Sequence, residues 1–528
     1  MEGLKRKDLK YFRRYLLILF SCLRMRYLVL ILISSSLGSL QLVGTFWPVG
    51  GPNGGENSCL VRFSAGKELD GTGRYVIFIN KTNNAGAGLY YGGTDWDTVI
   101  DDTLRTYEID YAGYPNWAFG YVNADSFVDL IISRYFYDSA VVWVWFGGPN
   151  FDDTFDMRLI VDLPGNDGPY GLGFWCTTGD LNGDGYDEII IAGGAVNTGG
   201  LNNRGAVAIW LGGSLLDDSV DYLILGEAEN THLGENGIAT GDINGDGYED
   251  LLVSRGVSAN QTRIYLGGNP FDTDYDYALP IGSVRPPSAE GDFNGDGYND
   301  IVGIVPDTVY GNDPVRFFYG GNPFDPTQFI QLPYPAMGVG IIKDLNGDGY
   351  DELVLGAIGT ERVLIYYGRD TLTNFPFPAD EEIWHPYDRQ LEGDHDFGWS
   401  VVSAGDFTGD GVNDLIVTAP WATNPCEPFW CPYAGRAYLY AGEIGIKEKE
   451  KIKKQNYRIY EKGNKIEIES DLNKEIKIEV FDVTGRKIGE VKGYKKIIFN
   501  KKSLPSTGTY FLHIKYDGKA IKKIIKLR

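Results

Sequence analysis

Histidine is nearly absent from this chain of 528 residues; the four present, His232, His385, His395 and His513, are scattered. They form no zinc-type Cys/His cluster. His395, between Asp394 and Asp396, reads as a solvated loop residue rather than a general base. Cysteine is also scarce, at five. No Gly-x-Ser-x-Gly elbow, phosphate loop or zinc-binding helix occurs. Positive charge is in deficit, with 48 Lys and Arg against 72 Asp and Glu, and a net charge of −24 excludes nucleic acid as a natural partner. Against these absences stand 70 glycines and 14% aromatic residues. That much glycine opposes a helical bundle, and that many aromatics oppose disorder. Glycine turns between short aromatic and β-branched runs predict an all-β chain.

The charge is not spread evenly. Residues 1–46 carry +6 and residues 447–528 carry +12, so the stretch 47–446 holds −42. A body that acidic must solvate its charge or gather cations. At the head, the apolar run 27–34 follows Arg24 and Arg26 and precedes the small residues Ser34 to Gly38. This is the layout of a secretory signal peptide, and residues 1–40 are read as a targeting segment. A single membrane anchor built from the apolar runs 15–20 and 27–34 is the alternative. Export leaves Cys59, Cys176, Cys426 and Cys431 in an oxidising compartment. Cys426 and Cys431 bracket a short loop that a local disulfide would close. Cys59 and Cys176 are either a second pair or unpaired core residues.

The middle repeats itself. GDLNGDGYDEIII at 179–191 recurs as GDINGDGYEDLLV at 241–253, GDFNGDGYNDIVG at 291–303, KDLNGDGYDELVL at 343–355 and GDFTGDGVNDLIV at 405–417. Two worn copies precede them: KELDGTGRYVIFI at 67–79, with Glu68 and Asp70, and GYVNADSFVDLII at 120–132, with Asn123, Asp125 and Asp129. A second phrase keeps the same beat: an aromatic strand ending in glycine, as in LYYGG at 89–93 and FFYGG at 317–321. Seven copies of each, about 50–60 residues apart, predict a seven-bladed β-propeller over 41–446, because one sheet cannot cover both its faces but a closed ring can. Residues 41–49 are expected to complete the last blade.

The acidic phrase places oxygen at alternate positions of a tight turn. Asp180, Asn182, Asp184, the carbonyl of Tyr186 and Glu188 are one such set; Asp242, Asn244, Asp246, Tyr248 and Asp250 are another. The others are Asp292, Asn294, Asp296, Tyr298 and Asp300; Asp344, Asn346, Asp348, Tyr350 and Glu352; and Asp406, Thr408, Asp410, Val412 and Asp414. Hard cations take six to eight oxygens, so about five Ca²⁺ sites are predicted. An EF-hand is excluded, since its twelfth position needs Glu and these copies have Ile191, Val253, Gly303, Leu355 and Val417. Asp-Gly turns without metal are the alternative. Tyr121 at the first position supplies no carboxylate, which argues against a full site at 121–129.

These phrases, with Phe397-Gly398-Trp399-Ser400 and Thr418-Ala419-Pro420 in the last copy, resemble the FG-GAP repeats of integrin α-subunit propellers and their bacterial relatives. The resemblance implies structural calcium loops between the first two strands of each blade. After Gly442 the composition turns to Lys, Glu and Ile. Residues 447–456 read as a linker and 457–528 as a small β-sandwich. Ile478 to Arg486, Leu504 to Tyr510 and the basic strand Lys519 to Arg528 resemble the C-terminal sorting domain of type IX secretion. That implies engagement of export machinery and delivery outside the cell or onto its outer membrane.

Together these readings predict an exported, monomeric, calcium-stabilised propeller that binds an extracellular protein or glycan without catalysis. Trp96, Trp117, Trp430 and Tyr433 are candidate contacts, with buried core or ring closure as their alternative role. A polysaccharide lyase or hydrolase on the same scaffold is the competing function, since acids distant in sequence can pair in space.

Overall fold

The computed structural model describes residues 40–46, 65–67, 69–80, 87–104, 116–135, 139–162, 171–214, 216–256, 261–305, 313–370, 378–386, 396–420 and 435–442. Toward the C-terminus it describes 457–462, 465–470, 475–481, 487–494, 496–500, 508–516 and 519–527. The chain divides into two compact units, Met1–Gly445 and Ile446–Arg528. Among the described residues the structure is all-β, apart from one 3-10 turn at Ile358–Thr360. No described helix is long and apolar enough to cross a membrane. The leader, the linker, Cys59, Cys426, Cys431, His395, Trp430 and Tyr433 lie outside the described residues.

The first unit repeats one antiparallel sheet. Trp175–Gly179, Glu188–Gly193, Ala206–Trp210 and Tyr222–Leu225 pair in sequence order. The same meander recurs at 65–104, 116–162, 238–279 and 338–384. At 301–331 it has three strands, and Gly291 bridges Asp300 where a first strand would lie. The last sheet departs from sequence order. Val401–Gly405, Asp414–Ala419 and Arg436–Ala441 are completed by Gln41–Phe46, which pairs antiparallel with Arg436–Ala441. The expected closing strand is therefore present over 41–46.

Alternating side chains cannot all find cover within one sheet, and the sheets cover each other instead. Leu130 and Trp143 of the second sheet share a core with Phe78 of the first; Ile191 and Trp210 of the third share one with Val142 of the second. The sequence of shared cores continues through the fourth, fifth, sixth and seventh sheets. It then returns to the start: Phe46, Leu439 and Phe407 of the last sheet pack on Ile77 and Tyr90 of the first. Seven sheets among the described residues thus form a closed ring, the architecture of a β-propeller. Cys176 is a free thiol buried in this core, so its role is the unpaired one. Trp117 is buried against Phe78, and Trp96 packs on Phe46 and Phe407 at the closure, which places both in structural roles.

The second unit holds two antiparallel sheets, Tyr457–Lys462, Lys465–Ser470 and Lys496–Asn500 in one, and Lys487–Tyr494, Glu475–Phe481, Gly508–Tyr516 and Lys519–Leu527 in the other. Ile478, Val480 and Phe499 are buried.

Phe46 is fully buried, with its ring 4.9 Å from Tyr90 and 6.1 Å from Phe407. Phe46→Ala is expected to destabilise the ring by about 3–5 kcal/mol, measured by denaturant unfolding, because it empties the closing seam.

Candidate functional site

Four of the five intact acidic phrases form the loop between the first and second strands of their sheets, the one at 292–300 leads into a three-stranded sheet, and all five have closely similar hydrogen bonds. In the loop at 180–188, Asp180 Oδ1 accepts the N–H groups of Gly183 and Asp184 at 2.7 and 3.1 Å, and Oδ2 accepts that of Gly185 at 2.9 Å. Asn182 accepts from the Asp184 N–H, and Asp184 from that of Tyr186. Asp242, Asp292, Asp344 and Asp406 repeat the first-position pattern. The turn needs left-handed backbone at two places, supplied by Gly183 at φ 71° and Gly185 at φ 89°. Tyr186, Tyr248, Tyr298, Tyr350 and Val412 hold the seventh positions. Three of the tyrosine rings do a second task that spacing does not show: Tyr248 lies against Gly183 of the preceding loop, Tyr298 against Gly245 and Tyr350 against Gly295.

The ninth-position acid is buried and works as a hub. Asp250 Oδ2 accepts the Ile243 N–H at 3.0 Å and Oδ1 accepts that of Gly267 at 2.8 Å. Asp300 does the same with Phe293 and Gly320, at 2.9 Å each. Glu188 and Glu352 accept from Leu181 and Leu345, and each also holds the amide of its loop asparagine, Asn182 or Asn346. Asp414 takes the N–H groups of Thr408 and Gly442. Gly267, Gly320 and Gly442 belong to the aromatic-glycine phrase, so this carboxylate joins the two repeated phrases within a sheet.

The next residue of that phrase joins one sheet to another. Gly148 donates to the Leu69 carbonyl, Gly213 to Val122, Gly268 to Leu181, Gly321 to Ile243 and Arg369 to Phe293, each acceptor being the second position of the preceding sheet's loop. Gly93 of the first sheet donates to Phe407 of the last at 2.8 Å, closing the series. The two phrases keep one beat because they bond to each other around the ring.

Charge is unevenly compensated in these loops. Burial pushes the Asp250 and Asp414 carboxyls up to about 7 and Glu188 up to about 8, against the pull of their backbone N–H bonds; Asp300 and Glu352 are also raised. In the loops of Glu188, Asp250, Asp300 and Glu352, the charges of the first- and fifth-position aspartates add to the rise. Among the described residues, no Lys, Arg or His forms an ion pair with the first-, fifth- or ninth-position acids of the five loops. Nor do three described acidic, histidine or cysteine side chains stand at metal-ligating spacing; the carboxylates are turned to backbone N–H groups. The donor set fits a hard cation in chemistry: all oxygen, anionic, and short of positive charge.

The two worn loops differ. At 121–129, Tyr121 removes the first carboxylate, while Asp129 keeps the hub, accepting from Val122, Asn123 and Gly147. In the first loop the seventh position is Arg74. Its guanidinium lies 2.6 Å from Asp70 Oδ2, its Nε donates to Thr72 Oγ1 at 2.9 Å, and it stacks 4.7 Å over Tyr91. Burial alone would raise the Asp70 carboxyl, but the Thr72 and Arg74 hydrogen bonds outweigh it and hold it below its ordinary value. This loop carries its own cation.

A ring of such sheets with acidic first-to-second-strand loops is a β-propeller built from repeats, and two stretches of it match known repeats. Residues 397–440 match the FG-GAP repeat and 180–253 the FG-GAP-like repeat. Residues 462–527 match the secretion system C-terminal sorting domain. The chain therefore carries FG-GAP-type repeats and a C-terminal sorting domain, and the latter indicates secretion by the type IX system to the cell surface or extracellular space. It is 34% identical over 125 residues to human phosphatidylinositol-glycan-specific phospholipase D, covering 22% of this chain and 14% of that protein. It is 22% identical over 221 residues to integrin alpha-5 of Xenopus laevis, covering 40% of this chain and 17% of that one. The likeness thus spans about a sixth of each relative. An exotype rhamnogalacturonan lyase, YesX, superposes with a TM-score of 0.39 at 10% identity, over 75% of this chain and 76% of the lyase.

Two substitutions read the site. A Cβ on Gly320 would sit 2.4 Å from the Asn299 carbonyl oxygen, so Gly320→Ala is expected to cost about 1–3 kcal/mol in denaturant unfolding. Arg74→Gln removes a partly exposed ion pair, and a loss of at most about 1 kcal/mol, equal with and without calcium, is expected in the same measurement.

Proposed function

We propose that this protein is a calcium-stabilised propeller that serves outside the cell as a non-catalytic binding module for a protein or glycan. The observation that carries the calcium part is the charge imbalance of the five intact loops, whose first-, fifth- and ninth-position acids have no ion-pair partner among the described residues. Asp180, Asp242, Asp292, Asp344 and Asp406 would supply the first oxygen of each site. Asn182, Asn244, Asn294, Asn346 and Thr408 would supply the third-position oxygen, and Asp184, Asp246, Asp296, Asp348 and Asp410 the fifth. The carbonyls of Tyr186, Tyr248, Tyr298, Tyr350 and Val412 and the acids Glu188, Asp250, Asp300, Glu352 and Asp414 would complete them. A bound cation would neutralise charge that folding otherwise has to crowd together, so its role is to hold the ring. Arg74 in the first loop supports this reading, because a fixed cation stands where the other loops lack one. Likeness to an integrin α chain supports a binding role.

Extracellular-type loops have dissociation constants of about 10⁻⁴–10⁻³ M, and at ten times that concentration each site adds about 1.4 kcal/mol. Thermal unfolding in millimolar calcium and in chelator is expected to differ by many degrees, with about five ions bound per chain by equilibrium dialysis. Asp242→Asn with Asp246→Asn is expected to remove one ion. Superimposable melting curves in calcium and chelator would overturn the metal assignment.

A further inference from the structure

The first strands of the successive sheets enclose a cavity of about 470 Å³, lined from Asn116 round to Ser403. That volume falls within the range of small-molecule sites, about 300–1,000 Å³. Its two ends differ in chemistry. Where the strands run into the acidic loops, the wall carries Glu249 and Glu290. Where the strands begin, it carries Trp175 with the Arg285 guanidinium 4.9 Å over the indole ring. The Arg285 Nε–H is buried and has no hydrogen-bond partner, and neither has the indole N–H of Trp117 in the same wall. Burial pushes Arg285 down to about 10, with the charge of Asp313 only partly opposing it.

A guanidinium with an unused buried donor, braced on an indole at a cavity wall, is suited to a carboxylate or another oxyanion. The rest of the lining selects among anions. Thr178, Thr240 and Ser403 bring hydroxyls, and Glu249 and Glu290 bring acceptors, so the partner is rich in hydroxyl groups rather than apolar. The first strands that line the cavity are the edge strands of their sheets, so an acidic peptide is the competing occupant that the test has to separate from a saccharide.

We propose that this cavity is the ligand site of the binding module and that its ligand is a short acidic saccharide, with the sugar carboxylate on Arg285 and sugar hydroxyls on Glu249 and Glu290. The inference rests on the binding-module reading and names its site and ligand class.

Calorimetric titration of the full chain in millimolar calcium tests it with three probes: trigalacturonate, neutral galactotriose and triglutamate. Trigalacturonate is expected to bind once per chain, and the other two at least tenfold more weakly. Arg285→Gln is expected to weaken trigalacturonate at least tenfold while the melting temperature and calcium stoichiometry stay unchanged. If that variant does not fold, Arg285→Lys, which keeps the charge but loses the two-pronged donor, is expected to lose at least threefold. Equal binding of galactotriose, tighter binding of triglutamate, no binding of any probe, or undiminished binding by the Arg285 variant that folds would each overturn the proposal. Calcium-dependent melting without saccharide binding would overturn this inference alone and leave the calcium reading standing.

Discussion

The buried ninth-position carboxylate is the interaction on which the rest of the ring depends. Without it, the second-position N–H and the first glycine of the aromatic phrase would both be buried donors lacking acceptors, at about 1–3 kcal/mol each. With it, the loop and the third strand are locked in register, and the next residue of the phrase is aimed at the neighbouring sheet. Gly267 and Gly268 show the division of labour, one bonding to Asp250 in its own sheet and the other to Leu181 in the sheet before. Asp129 keeps the hub in a loop that has lost its first carboxylate, which separates the hub's structural task from any ion.

That bonding concentrates like charges. Each intact loop holds acids at its first, fifth and ninth positions, and the buried one is raised by burial and by its neighbours. Two ways out of this crowding exist in one chain. The first loop places a guanidinium on Asp70, while the five intact loops offer only oxygen. The −42 balance over residues 47–446 reflects this choice repeated around the ring.

Much of this is legible in the amino-acid pattern alone. The repeat spacing carried the ring, and alternate oxygens carried the loop geometry, because both follow from local chain chemistry. The closing strand is expected within 41–49, and Gln41–Phe46 pairs there with Arg436–Ala441. Other features are not legible there. The tyrosines read as carbonyl donors, yet three of their rings cover the glycines of the previous loop, a contact between residues some 50–65 positions apart that no local pattern encodes. Arg74 looked like decay of the motif, when it is a charge substitution visible only once Asp70 and Thr72 are placed beside it. The cavity wall draws on residues from six sheets, and such convergence leaves no trace in spacing.

Gln41 pairs with Ala441, so the two partners of the last ladder lie at opposite ends of the ring's sequence. Closing so long a loop costs only logarithmically more than closing a short one, yet it must come late, since non-local pairing is slow to form. Until it forms, Arg436–Ala441 presents a row of unpaired backbone groups, and the segment 41–46 of a second copy fits that edge as well as its own. Strand exchange between copies is thus the hazard that this mode of closure carries at high concentration.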